Sequence, residues 1–227
     1  DERAQGVWRY RTAMALGDNI PVVSLGEGST PVIALSTWGT KHGLSDCRAK
    51  LEFMAPTGSF KDRGAATVIA ALKAAGVTRI VEDSSGNAGA AMAAYAARAG
   101  LTADIYVPEG APASKVSQIS GYGATVHRIA GTRENVATAA AHAAEEPSTA
   151  HASHSHHAAF IEGTKTFMLE LVEHSPDGLP DHMVFPVGNG SLLIGSYYGF
   201  RELKESGRID NIPKLHCVQS RNVMPLV

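Results

Sequence analysis

Short apolar segments alternate with longer, alanine-rich segments along most of the chain. Residues 103–107 and 125–129 are rich in β-branched and apolar residues and of strand length, and each precedes a run of helical length. Strands that alternate with helices of roughly 10–15 residues are typical of β-α-β units, so we predict an α/β protein with parallel sheet. The predicted strands are 49–53, 79–81, 103–107, 125–129, 183–187 and 214–219. The predicted helices are 60–75, 87–99, 113–120, 133–144, 163–172 and 192–206, with another between residues 3 and 16.

A single lysine stands where a predicted strand gives way to a predicted helix. Lys61 follows the turn residues Gly58 and Ser59 and falls in the first turn of helix 60–75. The helix dipole disfavours a cation at that end. A lysine there suits an amine that works in its neutral form, as a nucleophile or an imine. The alternative is a solvent-exposed lysine whose charge Asp62 offsets.

Two further polar loops open helices in the same way. Ser84, Ser85, Gly86 and Asn87 follow the strand at 79–81, and a Gly-Asn-Gly-Ser turn at 188–191 follows the strand at 183–187. Backbone N–H groups at a helix N-terminus bind carboxylates and phosphates, and glycine lets the backbone approach an anion closely. Serine and asparagine also cap helices without any other function. In parallel sheets ligands lie beyond the C-terminal ends of the strands, where all three loops fall.

Composition narrows the class of protein. The 227 residues are 44% hydrophobic with a formal net charge of -2, which is typical of a globular protein. No basic block suggests nucleic acid, and no apolar run is long enough for a membrane span. Two cysteines, Cys47 and Cys217, are too few for a disulfide framework, so we expect a reducing, cytoplasmic setting. The N-terminus lacks both Met and the apolar core of a signal peptide, so we expect a processed, trimmed or incomplete start.

A histidine-rich segment is the other unusual feature of the sequence. Residues 151–157 contain four histidines, and His142 lies nearby. The spacing does not match the i, i+4 pairs of helical metal sites, and no Cys or Glu in the segment completes a ligand set. We therefore predict no metal site.

Taken in order, five motifs resemble the fold type II family of pyridoxal-phosphate enzymes, most closely threonine synthase and threonine-synthase-like proteins. Thr-Gly-Ser-Phe-Lys-Asp-Arg-Gly at 57–64 is similar to the family's Schiff-base lysine motif. Ser-Ser-Gly-Asn-Ala-Gly at 84–89 is similar to its asparagine loop, and Pro-Val-Gly-Asn-Gly-Ser at 186–191 to its phosphate loop. The segments 25–31 and 160–166 match two further signatures.

The resemblance implies a tryptophan-synthase-β-like fold with two three-layer α/β domains and the cofactor between them. The large domain would consist of residues 1–55 and 147–227, and the smaller one of residues 56–146. Family members continue well past the segment that matches 216–219, and the group facing the pyridine nitrogen comes from that later region. We therefore expect the C-terminal part of the large domain to be absent.

The resemblance also implies a role for each residue of the motifs. Lys61 would form the Schiff base with pyridoxal 5'-phosphate and then move protons on the substrate, and Asn87 would bond the phenolic oxygen of the ring. The cofactor phosphate would be held by Gly188, Asn189, Gly190, Ser191 and Leu192. The amino-acid substrate would be held by Thr57, Ser84, Ser85, Gly86, Ala88 and Lys115.

The implied activity is that of a carbon–oxygen lyase converting O-phosphohomoserine and water to threonine and phosphate. Lys115 or Arg63 could bind the substrate phosphate, or Lys115 could belong to a solvated helix face. Asp62 favours threonine synthase over the serine and threonine dehydratases of the same fold. A dehydratase, a β-replacement synthase and a catalytically silent cofactor-binding relative stay open. The family implies a homodimer.

Overall fold

The computed structural model describes residues 6–175, 178–222 and 224. Strands and helices alternate over most of this length, as predicted, and 3-10 helices occupy Gly6–Ala13 and Glu52–Met54. The strands are β1 (Val32–Ala34), β2 (Arg48–Lys50), β3 (Arg79–Glu82), β4 (Thr102–Pro108), β5 (Thr125–Ile129), β6 (Thr149–His151), β7 (His182–Pro186) and β8 (Lys214–Val218). The helices are α1 (Ser36–Lys41), α2 (Lys61–Ala74), α3 (Asn87–Ala99), α4 (Ala113–Gly121), α5 (Arg133–Ala143), α6 (Ala158–Glu173) and α7 (Ser191–Glu205).

The largest sheet has four parallel strands in the order β5-β4-β3-β6. β3 lies inside it and is almost fully buried, which agrees with its apolar residues Ile80 and Val81. The pattern did not predict β6, because three residues that lead into the histidine-rich segment are too few to show alternation. Pairing of β6 with β3 brings that segment beside the end of β3.

The remaining strands form two small sheets: β1 pairs with β2 antiparallel, and β7 pairs with β8 in parallel. A second apolar core lies beside β7 and is built from residues of α6, α7 and β7, namely Phe167, Met168, Leu171, Phe185 and Phe200. α6 packs against both α2 and α7 and so joins this core to the main one.

Two glycines allow α2 and α6 to cross closely. A Cβ at Gly64 would overlap the ring of Phe160, and a Cβ at Gly163 would overlap the carbonyl oxygen of Arg63. The alanine-rich faces of α2 and α3 are likewise buried, as expected for helices that lie close to a sheet. This tight packing fixes the position of the N-terminus of α2.

Three predicted elements differ from the structure. The strand predicted at 49–53 ends at Lys50, and the chain turns through the 3-10 helix because Glu52 reaches the buried Arg63 side chain. The helix predicted between 3 and 16 is a 3-10 helix, and residues 3–5 lie outside the described residues. The helix predicted from 163 begins five residues earlier, where His157 caps it by accepting the Ala159 N–H. Within the described ranges, no helix is long and apolar enough to cross a bilayer.

Candidate active site

Lys61 is the first residue of α2, as predicted, and its side chain reaches the N-terminus of α7. Its Nζ lies 3.2 Å from the hydroxyl oxygen of Ser191 and 3.5 Å from Oδ1 of Asn189. Burial lowers the pKa of Lys61 to about 8, against an opposing effect of the Glu82 charge. The solvent-exposed alternative is therefore wrong, and the lysine motif and the glycine turn meet at one place.

The surroundings of Lys61 are largely apolar. Its Nζ lies 4.3 Å from the ring centre of Phe60 and 5.7 Å from that of Phe160. Asp62 does not offset its charge, because the Asp62 carboxylate accepts hydrogen bonds from the N–H and hydroxyl of Thr57, at 3.1 and 2.9 Å. Burial raises the pKa of Asp62 to about 6. Asp62 thus holds the turn that precedes the lysine.

The glycine turn at the start of α7 has the geometry of an anion site. Gly190 has a φ of +88°, which glycine adopts without strain, and α7 begins at the next residue. Oδ1 of Asn189 accepts from the N–H and hydroxyl of Ser191. The first turn of α7, including the Ser191 hydroxyl, borders a cavity of 280 Å³, which is lined by Phe60, Lys61, His154 and residues 185–193.

A wider hollow of 730 Å³ lies at the opposite end of β7, between residues 172–182 and 208–214. It contains none of the predicted site residues. The smaller cavity is therefore the one that Lys61 and the predicted residues 188–192 line.

The serine loop stands at the C-terminal end of β3, as predicted. Gly86 occupies the N-cap position of α3, without a side-chain cap, and Ser84 Oγ accepts its N–H instead. The capping alternative for the serines is therefore wrong. A Cβ at Gly89 would overlap the carbonyl oxygen of Ser84, so the turn depends on that glycine. Asn87 is the first residue of α3.

Lys115 lies against the serine loop rather than on a solvated helix face. Its Nζ donates to Oδ1 of Asn87 at 2.7 Å and to Oε1 of Gln118 at 3.1 Å. Gln118 in turn donates to the carbonyl oxygen of Thr57. These contacts join α4, the serine loop and the turn before Lys61.

Arg63 cannot serve as a ligand for a substrate phosphate. It is fully buried, and its guanidinium pairs with Glu52 at 2.8 Å and with Glu170 at 2.9 Å. Lys50 binds the second oxygen of Glu170 at 2.6 Å. Arg63 is therefore a structural residue, and the suggestion that it could meet the substrate is wrong.

Carboxylates lie beside the histidine-rich segment, although none is present within it. Glu82 Oε1 accepts from His154 Nδ1 at 2.7 Å, and Asp83 pairs with His151 at 3.2 Å and with Arg133 at 2.6 Å. The hydrogen bond to His151 lowers the pKa of Asp83. Sequence reasoning missed this cluster. The one available signal was two acidic residues at the end of an otherwise apolar strand.

A parallel α/β sheet, a buried lysine at a helix N-terminus and a glycine turn facing it are the features of an enzyme that uses an aldehyde cofactor with a phosphate group. The chain belongs to the family of pyridoxal-phosphate dependent enzymes, whose model matches residues 23–227. The predicted cofactor, pyridoxal phosphate, is thereby confirmed.

Curated relatives of this chain include threonine synthases. A threonine synthase of Methanocaldococcus jannaschii is 33% identical over 227 residues, which is 100% of this chain and 56% of the relative. A threonine synthase of Synechocystis is 36% identical over 222 residues, which is 96% of this chain and 57% of the relative. The chain thus spans a little over half the length of these relatives.

Solved structures confirm the fold type II class. Maize serine racemase superposes with a TM-score of 0.72 at 30% identity. The match covers 78% of this chain and 53% of the racemase. A fungal L-serine ammonia-lyase from Rhizomucor miehei superposes with a TM-score of 0.72 at 25% identity. The match covers 86% of this chain and 60% of the lyase. The division into two domains and the roles of individual residues stay predictions.

Proposed function

We propose that this protein is a threonine-synthase-like lyase that releases phosphate from O-phosphohomoserine and forms threonine. One observation carries the proposal: the partly buried Lys61 amine, which pairs with no carboxylate among the described residues, meets the glycine turn that opens α7. The names of the curated relatives support the choice of reaction.

Lys61 has the properties of an attachment point for the cofactor aldehyde and of a base at the substrate Cα. A pKa of about 8 leaves a useful fraction of its amine neutral near neutral pH, whereas an ordinary lysine is almost entirely protonated. Bound pyridoxal phosphate supplies an electron sink for the charge that develops at Cα. The residues fit this cofactor, since the Lys61 amine and the N-terminal turn of α7 line one cavity.

The turn at 188–192 would hold the cofactor phosphate through its N–H groups and the Ser191 hydroxyl. Asn87 would contact the cofactor ring, and Lys115 orients the Asn87 amide by binding its oxygen. The substrate carboxylate would lie at the serine loop, against Ser84, Ser85, Gly86 and Ala88, with Thr57 beside it. Lys115 is the cation proposed to meet the substrate phosphate.

The test is phosphate release from O-phosphohomoserine in the presence of pyridoxal phosphate. We expect phosphate and threonine in equal amounts, and neither from Lys61→Ala. The same substitution at the exposed Lys73 of α2 is the matched control and should leave both products unchanged. A borohydride-reducible adduct of equal yield in Lys61→Ala would contradict the assignment of the lysine.

A serine or threonine dehydratase is the second candidate. It is favoured by the burial of Arg63, which removes one of the two cations considered for a substrate phosphate, and by the likeness to serine racemase and serine ammonia-lyase. Ammonia and 2-oxo acid from serine or threonine, with no phosphate from O-phosphohomoserine, would select it. The homodimer and the cytoplasmic setting stay predictions.

A further inference from the structure

Glu82 and His154 form a carboxylate–imidazole pair that the roles above leave unused. Glu82 is the last residue of β3 and is fully buried. Its Oε1 lies 2.7 Å from His154 Nδ1. An ionised carboxylate accepts and does not donate, so with Glu82 ionised the bond places a proton on Nδ1 of the imidazole and leaves Nε2 for a second partner.

His154 lines the same cavity as Lys61 and the glycine turn. Its ring packs edge-on against Phe160, with centres 6.1 Å apart, and Phe160 is also a wall of the Lys61 site. The turn that carries it is fastened to the glycine turn, because Asn189 donates to the Ser155 hydroxyl at 3.1 Å. The imidazole is thus fixed relative to the lysine amine.

The position of Glu82 needs an explanation, because burying a carboxylate is costly unless it is paired. Burial raises the pKa of Glu82, and the bond from His154 counters that effect. Its other oxygen, Oε2, has no hydrogen-bond partner among the described residues and lies 3.8 Å from His151 Nε2. The charged or titratable groups that face Glu82 are His154, His151, Asp83 and Lys61.

We propose that His154 is a catalytic acid–base residue for the oxygen at the side-chain end of the substrate, and that Glu82 is the residue that positions it. This inference rests on the proposed function, because it needs a substrate whose side chain gains or loses an oxygen. The arrangement of a base held by a buried carboxylate is the one that general acid–base catalysis uses.

The proton balance of the hydration step closes with these residues. His154 Nε2 accepts one proton from water as the water oxygen bonds to Cβ. The electron pair of the Cα–Cβ double bond moves to Cα, which takes a proton from the Lys61 ammonium. Proton return from His154 to Lys61 through solvent restores both groups. In a dehydratase the transfer would run the other way: the imidazolium, protonated at Nε2 from solvent, would give that proton to the departing hydroxyl while Lys61 takes the proton from Cα.

The first test reads the imidazole directly, without turnover. Protein labelled with ¹⁵N-histidine is measured by NMR, and the signal of His154 is assigned from its loss in His154→Asn. We expect the Nδ1–H tautomer with Nε2 unprotonated. The Nε2–H tautomer would overturn the proposal, because Nε2 could not then accept a proton from water.

The second test is kinetic. His154→Asn keeps an N–H donor for Glu82, so the buried carboxylate retains its partner. We expect kcat to fall about 100-fold or more, with KM and the absorption band of the Lys61-bound cofactor unchanged. Glu82→Gln should lower kcat about tenfold, and added imidazole should restore part of the activity of His154→Ala. The same Asn substitution at the exposed His142 is the control.

A wild-type kcat in His154→Asn, or a loss of activity that follows loss of cofactor, would overturn the inference. Failure of the proposed function has a different signature, which is a wild-type protein that turns over neither O-phosphohomoserine nor serine nor threonine. In that case the tautomer alone decides whether Glu82 presents His154 Nε2 to the cavity.

Discussion

Lys61 and Arg63 stand two residues apart at the start of α2 and have opposite environments. Two residues span about 200° around a helix, so the side chains leave on different sides. Lys61 enters the cavity and meets neutral groups and two aromatic rings. Arg63 enters the protein interior and meets the carboxylates of Glu52 and Glu170.

The difference shows that burial alone does not activate an amine. Lys165 is more deeply buried than Lys61, but its Nζ pairs with Glu162 at 2.7 Å and with Glu202 at 2.9 Å. Burial lowers the pKa of Lys61 to about 8 because no ion pair offsets it. At the start of α2, the amine without an ion-pair partner lies in the cavity, and the guanidinium with two carboxylate partners lies in the interior.

Replacing Arg63 should produce the largest loss of stability. In Arg63→Met the carboxylates of Glu52 and Glu170 lose their main partner while staying in the interior. Breaking a buried ion pair in this way costs about 3–5 kcal/mol. We expect that loss in the free energy of unfolding, measured by urea denaturation at pH 7.

Glu170 supplies the check on this explanation. Burial raises the pKa of Glu170, but Arg63 and Lys50 outweigh this effect and lower the pKa to about 2. Arg63→Met combined with Glu170→Leu should recover part of the lost stability, since the unpaired carboxylate is removed as well. A single variant that loses less than about 1 kcal/mol would show that the pair is not a major source of stability.

Replacing Lys61 should change how stability depends on alkaline pH. Its folded-state pKa lies below its unfolded value, so the unfolded chain binds more protons between about pH 8 and 10.5. The free energy of unfolding of the cofactor-free protein should therefore rise through that range, by about 3 kcal/mol from this group. Lys61→Met should lack this rise, in urea unfolding at pH 8 and pH 10.

The control for that experiment is Lys73→Met, which should keep the wild-type rise because Lys73 is exposed. Equal slopes in Lys61→Met and the wild type would mean that the Lys61 amine is not desolvated, and the contrast with Arg63 would fail.

Caps and turn residues in the sequence predicted the position of Lys61, but they did not predict the environment of Arg63. α3 and β5 have the predicted bounds, and Asn87 and Gly100 mark the ends of α3 within the sequence. The position of Lys61 at a helix N-terminus followed from the turn before it. The contact between Lys61 and the glycine turn was predicted only through the family resemblance, because Lys61 and Ser191 are 130 residues apart in the sequence.

The parts that could not be predicted depend on contacts between distant segments. Arg63 is structural because Glu52 and Glu170 converge on it from a 3-10 helix and from α6. Glu82 and His154 meet because β6 pairs with β3, and β6 is too short to be recognised from its pattern. The residues next to a buried charge in the sequence do not show that it is buried or paired, since its partners come from other helices and strands.

Gly64 directly follows the two cations in α2, and its substitution should sharpen the comparison further. A Cβ at this position would overlap the ring of Phe160, which packs on α2 and borders the Lys61 site. Gly64→Ala should cost about 1–3 kcal/mol of stability through overpacking. Ala substitution at Gly121, which meets no neighbouring atom, is the control. A stabilised Gly64→Ala protein would show that helix propensity outweighs the close approach.

The smallest effect is expected at the other end of α2. Lys73 is exposed and donates to the carbonyl oxygen of Ala99 at 2.6 Å, at the C-terminus of α3. A cation near a helix C-terminus contributes about 0.3–1 kcal/mol at low ionic strength, and salt screens the contribution. Lys73→Met should therefore lose about 0.5 kcal/mol in dilute buffer and less in 1 M salt, measured by urea unfolding. A loss as large as that of Arg63→Met would mean that exposure does not separate the cations of this helix, and the distinction drawn between them would have to rest on partners alone.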